Sequence, residues 1–137
     1  MTNAKGSTVN DFAEYMELIV EPTWEEFRRN GNSVRHAYLA CVAILHAVDR
    51  AAYPDDPIAL AEQWRTASQA FMLVEEVAQT FKHGQRRWVK KAKAENPDAL
   101  LITHPLGLEG GLKGLQLHPL HFLARDAVIF LRSKLTP

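Results

Sequence analysis

A chain of 137 residues, 47% of them hydrophobic, has the size and composition of one globular domain, which argues against a disordered or fibrous protein. Sixteen basic and sixteen acidic residues balance, so global charge favours neither nucleic acid nor membrane as a partner. The single cysteine, Cys41, excludes an internal disulfide. No apolar run reaches the about 20 residues that a bilayer requires, and the N-terminus lacks a signal-peptide pattern, so we expect a cytoplasmic protein without a membrane partner.

The N-terminal residues predict a tail followed by a helix. Residues 1–10 are small and polar and are expected to be disordered, whereas 11–137 form a single helical domain. Asn10 or Asp11 can cap a helix that runs to about Val20, because short polar side chains accept from free N–H groups at helix starts. Pro22 cannot continue that helix and should begin another. The predicted inward stripe is Phe12, Tyr15, Met16 and Ile19.

Two further helices follow. Residues 23–29 predict a short helix with Trp24 and Phe27 on its apolar side, ended by an Asn-Gly-Asn sequence. Ser33 is a suitable N-cap for the next helix, which extends to about Tyr53. Residues 38–45 of that helix are apolar on nearly every side, a pattern typical of the buried central helix of a bundle.

A heptad-like seam gives the strongest pattern in the chain. After a proline-flanked turn at 54–57, apolar residues recur at spacings of four and three up to about Gly84, which predicts one long helix packed on the bundle. We predict that four of these positions, Trp64, Phe71, Val74 and Ala78, are core. The full seam is Leu60, Trp64, Ala67, Phe71, Val74, Ala78 and Phe81.

The last third of the chain combines an irregular segment with a final helix. Residues 97–119 are rich in leucine, glycine and proline and are too apolar for a solvated linker, so they should pack on the bundle. Within them, 109–111 can turn a small hairpin. Pro119 should start a helix that ends near Leu135. The sequence therefore predicts an all-α bundle of about four main helices with an irregular segment before the last helix.

The central helix carries a polar set in addition to its apolar residues. Arg35 and His36 lie at its start, and His46, Asp49 and Arg50 lie three and four apart on one face near its end. A carboxylate on a buried helix must be hydrogen-bonded, because an unpaired buried charge is costly. The His46–Asp49 pair is either an oriented acid–base group or part of a structural network that fixes the helix register.

Lys82 and His83 close the heptad helix and form a second candidate site. Cations in a last turn interact favourably with the helix dipole, which is a purely structural explanation, but they can also serve a phosphate or a scissile backbone. A short turn makes the central and heptad helices antiparallel neighbours. In this antiparallel arrangement, Arg35 and His36 lie nearest Lys82 and His83, and these four residues form the preferred site. His46 and Asp49 then need another partner, such as Arg65 or a residue of the last helix.

A basic stretch follows the heptad helix and offers a nucleic-acid patch. Its cations could contact phosphates and its tryptophan could stack on a base, which would make RNA a partner. The alternative is a solvated helix exterior that balances acidic residues near the N-terminus. The candidate residues are Lys82, Arg86, Arg87, Trp88, Lys90, Lys91 and Lys93.

His118 and His121 do not predict a metal centre. Pro119 should place His118 outside the final helix, and no cysteine or carboxylate cluster completes a ligand set. We therefore expect no metal and no cofactor. Cys41 lies in the apolar centre of its helix and is interpreted as a core residue.

A resemblance to known proteins lies in two segments, Ser33-Val-Arg-His-Ala through Asp49 and Val77-Ala-Gln-Thr-Phe-Lys-His83. They resemble a group of small bacterial helical proteins and, more distantly, the HEPN superfamily of helical bundles. That resemblance implies a dimer, and in the catalytic members an RNase signature of Arg, four to six residues, then His. With His83 as that histidine, no arginine stands in register, because residues 75–78 are Glu75, Glu76, Val77 and Ala78, which favours a protein without catalysis.

Three functions remain open at this level. The first is a non-catalytic HEPN-like protein that acts by homodimerisation and binding. The second is an RNA-cleaving enzyme or toxin component that uses His83. The third is a small-molecule-binding helical protein, with a pocket formed by the leucines of residues 100–117.

Overall fold

The computed structural model describes residues 10–83, 106–107 and 111–135, and within these ranges it contains helices and turns but no strand. The predicted all-α bundle is therefore confirmed. The elements are α1 (Phe12–Tyr15), a π-helical turn (Met16–Val20), α2 (Glu21–Arg29), α3 (Val34–Ala52), α4 (Ile58–Ala67), α5 (Gln69–His83), α6 (Gly111–Gly114) and α7 (Leu117–Arg132).

The N-terminal helical segment runs without interruption past Pro22. The predicted break there is wrong, because a π-helical turn precedes the proline and Pro22 then occupies the first turn of α2, where its missing N–H is tolerated. The wider turn also changes the register of the buried stripe. Ile19, predicted to face inward, is 43% exposed, whereas Val20 is buried. Of the two predicted cap residues, Asp11 occupies the N-cap position but makes no capping hydrogen bond with its side chain, whereas Asn10 Oδ1 accepts from the N–H of Phe12 at 3.2 Å.

α3 lies at the centre of the bundle, in contact with α2, α5 and α7. Ser33 caps it as predicted, because its Oγ accepts from the N–H of His36 at 3.1 Å. The expectation of burial on nearly every side is wrong. Tyr38 and Leu39 are about 40% exposed, while small residues such as Ala40 face the core. The inner face of α3 consists of Ala37, Ala40, Cys41, Ala43, Ile44, Ala47 and Val48.

Ser68 divides the predicted heptad helix into two. Its backbone is extended, with φ −138° and ψ 110°, and its Oγ accepts from the N–H of Phe71 at 3.0 Å, so α4 ends and α5 is capped at this one residue. A serine side chain that captures a free N–H competes with continuation of the helix. Ala67, part of the predicted seam, is exposed for this reason. The four predicted core residues of the seam are nevertheless buried: Trp64, Phe71, Val74 and Ala78.

The C-terminal part packs on the same core. Leu106 and Leu115 are buried, in agreement with the expectation that the irregular segment covers the bundle, and the Leu106 carbonyl accepts from the N–H of Gln116 at 2.7 Å. α7 begins at Leu117, two residues earlier than predicted, so His118 lies inside the helix and its expected place outside is wrong. Residues 97–105 and 108–110 of the segment lie outside the described residues; of the hairpin predicted at 109–111, Gly111 is described and begins α6.

Aromatic rings join the helices at the centre of the bundle. The Trp64 ring lies 5.5 Å from Phe71, 5.7 Å from Phe130 and 6.1 Å from Phe12, measured between centroids. These contacts connect α1, α4, α5 and α7 through one indole. None of the described helices is long and apolar enough to cross a membrane.

Candidate binding cleft

The preferred site was predicted at the start of α3, beside the end of α5. The Tyr38 and Phe81 rings lie 4.9 Å apart, which places the first turns of α3 beside the last turn of α5 and confirms the antiparallel packing. Arg35 is exposed, and the His36 ring Nδ1 lies 2.7 Å from Ser33 Oγ, so this imidazole completes the helix cap. The side chains of Lys82 and His83, and the whole basic stretch from Arg86 to Lys93, lie outside the described residues.

His46 and Asp49 face solvent at the other end of α3. Their side chains are 54% and 53% exposed, and His46 Nδ1 lies 3.5 Å from Asp49 Oδ2. The expectation that they are buried and therefore obliged to pair is wrong, because the side of α3 that carries them is not covered. Arg50 points elsewhere, since it donates to Asp11 and its guanidinium lies 5.1 Å from the centre of the Tyr15 ring.

His46 and Asp49 instead form one wall of a cleft of about 250 Å³, which we call the α3–α4–α5 cleft after the helices that enclose it. Val48 and Ala61, both buried, supply apolar lining, and Ile58 stands at the mouth with 72% exposure. The cleft is lined by Leu45, His46, Val48 and Asp49 from α3, by Pro57, Ile58, Ala61 and Arg65 from α4 and the turn before it, and by Glu75 and Gln79 from α5.

Opposite Asp49, an ion pair crosses from α4 to α5. Arg65 Nη1 donates to Glu75 Oε1 at 3.0 Å and to Oε2 at 2.9 Å. The Glu75 side chain is only 10% exposed, whereas that of Arg65 is 37% exposed. A nearly buried carboxylate requires such a donor, so this pair fixes the relative position of the two helices on either side of Ser68.

Arg65 was predicted as one possible partner of His46 and Asp49; it lines the same cleft, but its guanidinium pairs with Glu75, and His46 and Asp49 lie beside each other. Glu75 was not among the predicted site residues, although its position in the sequence indicated a buried carboxylate. It stands between Val74 and Val77 in the buried part of α5, where an acidic residue needs a partner. That partner comes from α4, which a single unbroken heptad helix would not have brought into reach.

The chemistry of the α3–α4–α5 cleft suits binding better than covalent catalysis. Among the described residues, its lining offers a guanidinium, two carboxylates, an imidazole and an amide, but neither a hydroxyl nor a thiol side chain. A nucleophile of the serine or cysteine type is therefore missing from this described part of the lining. His46 and Asp49 are each about half solvated, so water rather than a protein dipole surrounds much of both groups. What the lining provides is directed polar contact beside an apolar surface.

A larger cleft, of about 570 Å³, lies where the start of α1 approaches α4 and the end of α7. Its polar lining is sparse and partly engaged. The Asn10 amide donates to the carbonyls of Ala51 and Tyr53, at 3.3 and 3.4 Å, and Lys134 Nζ lies 4.8 Å from the centre of the Phe130 ring. Ionisable side chains from three helices converge only in the smaller of these two clefts, so we take that one as the candidate site.

Tyr15 is a titratable group held inside the fold. Its hydroxyl donates to the Ala43 carbonyl at 2.6 Å. Burial raises the pKa of Tyr15 to about 12, while the nearby Arg50 cation acts in the opposite direction. Acidic residues of the N-terminal helical segment pair with arginines: Asp11 with Arg50, Glu21 with Arg132, and Glu25 with Arg28 and Arg29.

The histidines of α7 pack on aromatic rings. The His121 ring lies 5.0 Å from Trp24 and 5.4 Å from Phe27, and burial lowers its pKa, with Arg125 and His118 acting in the same direction. Across the part of the chain that the structure describes, no group of three or more His, Cys, Asp or Glu side chains is placed to hold a metal ion. Cys41 is buried, as predicted, and burial raises the pKa of its thiol.

Comparison of the chain with protein-family models, with curated proteins and with solved structures yields no match. The geometry of the cleft is therefore the basis for assigning a function.

Proposed function

We propose that this protein is a non-catalytic, HEPN-like helical binding protein and that the α3–α4–α5 cleft takes a small molecule. The observation that supports the proposal is the convergence of His46, Asp49, Arg65 and Glu75 on one apolar-floored cleft. Pockets with an apolar lining and a few converging polar groups are where proteins most often bind small ligands. The α3–α4–α5 cleft takes the place of the pocket that we predicted among the leucines of residues 100–117. Two of those leucines, Leu106 and Leu115, belong to the core.

The arrangement supports binding for a structural reason as well. Arg65 and Glu75 are held by each other, so the inner wall of the cleft is preorganised before a ligand arrives. Preorganised groups lose little conformational entropy on binding. The volume of about 250 Å³ lies just below the range of about 300–1,000 Å³ typical of sites for drug-sized ligands, so the ligand should be smaller than these.

The test is a fragment screen by two-dimensional amide NMR, for which a chain of 15.4 kDa is well suited. We expect bound fragments to shift the amide signals of Val48, Ile58, Ala61 and Gln79. The exposed face of α7 around Phe122 is the internal control, because it is apolar in part but belongs to the lining of neither cleft. Shifts confined to that face, or no binding at all from a diverse fragment set, would contradict the proposal.

The resemblance to HEPN bundles leads us to propose a homodimer in addition. Exposed apolar residues support it: Leu18 is 66% exposed and Ile129 is 50% exposed, and each lies one turn from a member of the Glu21–Arg132 ion pair. Apolar side chains at the surface of a helix pair are typical of contact surfaces. Light scattering at micromolar concentration should give twice the monomer mass, and Leu18→Lys should reduce it. A monomer mass for the unmodified chain contradicts the dimer.

RNA cleavage through His83 is the second candidate, favoured by the Tyr38–Phe81 contact that brings the Arg35 end of α3 beside the last turn of α5. The test is hydrolysis of a structured and an unstructured RNA by the purified protein, its His83→Ala variant and a His118→Ala control. Cleavage that is lost only with His83→Ala supports this function and contradicts the non-catalytic proposal. Cleavage unaffected by His83→Ala excludes it.

A further inference from the structure

We propose that the α3–α4–α5 cleft selects a small organic ammonium compound, a protonated primary amine on a short branched apolar group, with the carboxylate of Asp49 binding the ammonium. This inference rests on the proposed function and adds to it the chemical class of the ligand. Three observations carry it, namely the charge of the cleft, the free acceptor atoms of Asp49 and the apolar residues beside them.

The ion pair in the cleft wall leaves Asp49 as the charge that a ligand would meet. Arg65 offsets the charge of Glu75, with both carboxylate oxygens within 3.0 Å of one guanidinium nitrogen. Among the described lining residues, Asp49 is then the carboxylate that has no ion pair with an arginine or lysine. This carboxylate attracts a ligand with a positive charge, whereas it repels an anionic ligand.

The side-chain oxygens of Asp49 are available as acceptors. Among the described residues, no donor makes a hydrogen bond to them, and the ring nitrogen Nδ1 of His46 stands 3.5 Å from Oδ2. Good charge-assisted N–H···O contacts measure about 2.7–2.9 Å, so the carboxylate still has capacity to accept the N–H groups of an ammonium. Its 53% exposure leaves it accessible at the cleft wall.

Apolar residues beside Asp49 suit the other end of the ligand. Val48 and Ala61 are almost fully buried, and Ile58 holds a large aliphatic side chain 72% exposed at the mouth of the cleft. An alkyl group placed between them would remove the Ile58 side chain from water. Each buried methylene should strengthen binding about fourfold, which favours a short alkyl chain over a bare ammonium ion.

The experiment compares three probes that share one skeleton: isopentylamine, isopentanol and isovalerate. Binding is followed by the amide shifts of Val48, Ile58 and Ala61 at neutral pH. We expect the amine to bind about three- to fivefold more tightly than the alcohol, and the carboxylate to bind most weakly, because the half-exposed carboxylate of Asp49 attracts the charge of the ammonium and repels a second carboxylate.

Two variants identify the group responsible. Asp49→Asn should weaken amine binding about three- to fivefold and change alcohol binding less, because it removes the charge and keeps the shape. Asp126→Asn is the matched control, since Asp126 is 50% exposed and lies on α7 outside the cleft lining, and it should change nothing. Ile58→Lys, at an exposed position where folding is not at risk, should also weaken amine binding by placing a cation at the mouth.

The outcomes separate the ligand class from the site. Equal or tighter binding of isovalerate or isopentanol, with the shifts still in the cleft, overturns the ammonium assignment and leaves the proposed binding function standing. Amine binding that is insensitive to Asp49→Asn also overturns the assignment. Failure of all three probes, together with failure of the fragment screen to map to this cleft, overturns the proposed function itself.

Discussion

Truncation of Phe71 is the sharpest test of the packing that positions the cleft. Phe71 is fully buried, and its ring lies 5.5 Å from Trp64 and 6.1 Å from Phe130. Removal of a buried aromatic ring costs about 3–5 kcal/mol, and each ring pair contributes about 0.5–1.5 kcal/mol beyond the area it buries. We therefore expect Phe71→Ala to lower the free energy of unfolding by about 4–5 kcal/mol, near the upper end of the range.

Urea denaturation followed by circular dichroism measures this loss. A domain of this size is typically stable by about 5–15 kcal/mol, so the variant should remain folded at low denaturant while its midpoint falls markedly. Phe122→Ala is the control, because Phe122 is 42% exposed on α7, and its loss should stay below about 1 kcal/mol. A loss below about 1 kcal/mol for Phe71→Ala would show that α5 does not present this face to Trp64 and that the helix register is wrong.

Three further predictions concern the elements around the cleft. Arg65→Met should lower stability by about 1–3 kcal/mol, because the Glu75 side chain is only 10% exposed and loses a charged donor. The control Arg125→Met, at an exposed ion pair, should cost less than about 0.5 kcal/mol. Equal losses in thermal melts would refute the special role of Arg65. Ser68→Ala should lower stability by about 1 kcal/mol because it removes the cap of α5, and no change would show that Ser68 does not end α4. The pKa of Tyr15 is raised to about 12 from 10.0, so the contribution of the neutral tyrosine to the free energy of unfolding is fully present below pH 10 and is lost as the pH rises towards 12. Solvent screening of the partly exposed ring reduces this contribution to about 1–2 kcal/mol. Tyr15→Phe cannot ionise and should lack this loss when stability is measured across that range.

Capping residues, proline-flanked turns and hydrophobic spacing predicted correctly several helix ends and buried positions. Ser33 caps α3 because its hydroxyl can reach only the first free N–H groups, and the proline-flanked turn at 54–57 ends that helix as expected. Trp64, Phe71, Val74 and Ala78 are buried because their spacing keeps them on one side of a helix. Such signals survive even when the helix bounds are wrong.

Ser68 and Pro22 show where local patterns fail. Ser68 sits inside an unbroken heptad pattern, and only the competition between its hydroxyl and the helical hydrogen bond ends the helix there. Pro22 would break a regular α-helix, but a π-helical turn before it absorbs the change. In both cases a local hydrogen-bonding arrangement that the hydrophobic periodicity does not encode decides the backbone conformation.

The candidate site was predictable only in part. The antiparallel turn places Arg65 near His46 and Asp49, as a count of residues predicts. The participation of Glu75 depends on the bend at Ser68, which brings α4 and α5 together at an angle that periodicity does not encode. The exposure of Asp49 likewise depends on which side of α3 remains uncovered, and an apolar sequence such as 38–45 predicts burial on all sides.

The central claim, that the α3–α4–α5 cleft is a binding site, is tested most directly by intermolecular nuclear Overhauser effects from a bound fragment to the protein methyl groups. The structure predicts contacts from the ligand to the methyl groups of Leu45, Val48 and Ile58, which belong to the cleft lining. Contacts to Leu18 or Ile129, which lie outside that lining, with none to these three residues, would contradict the claim.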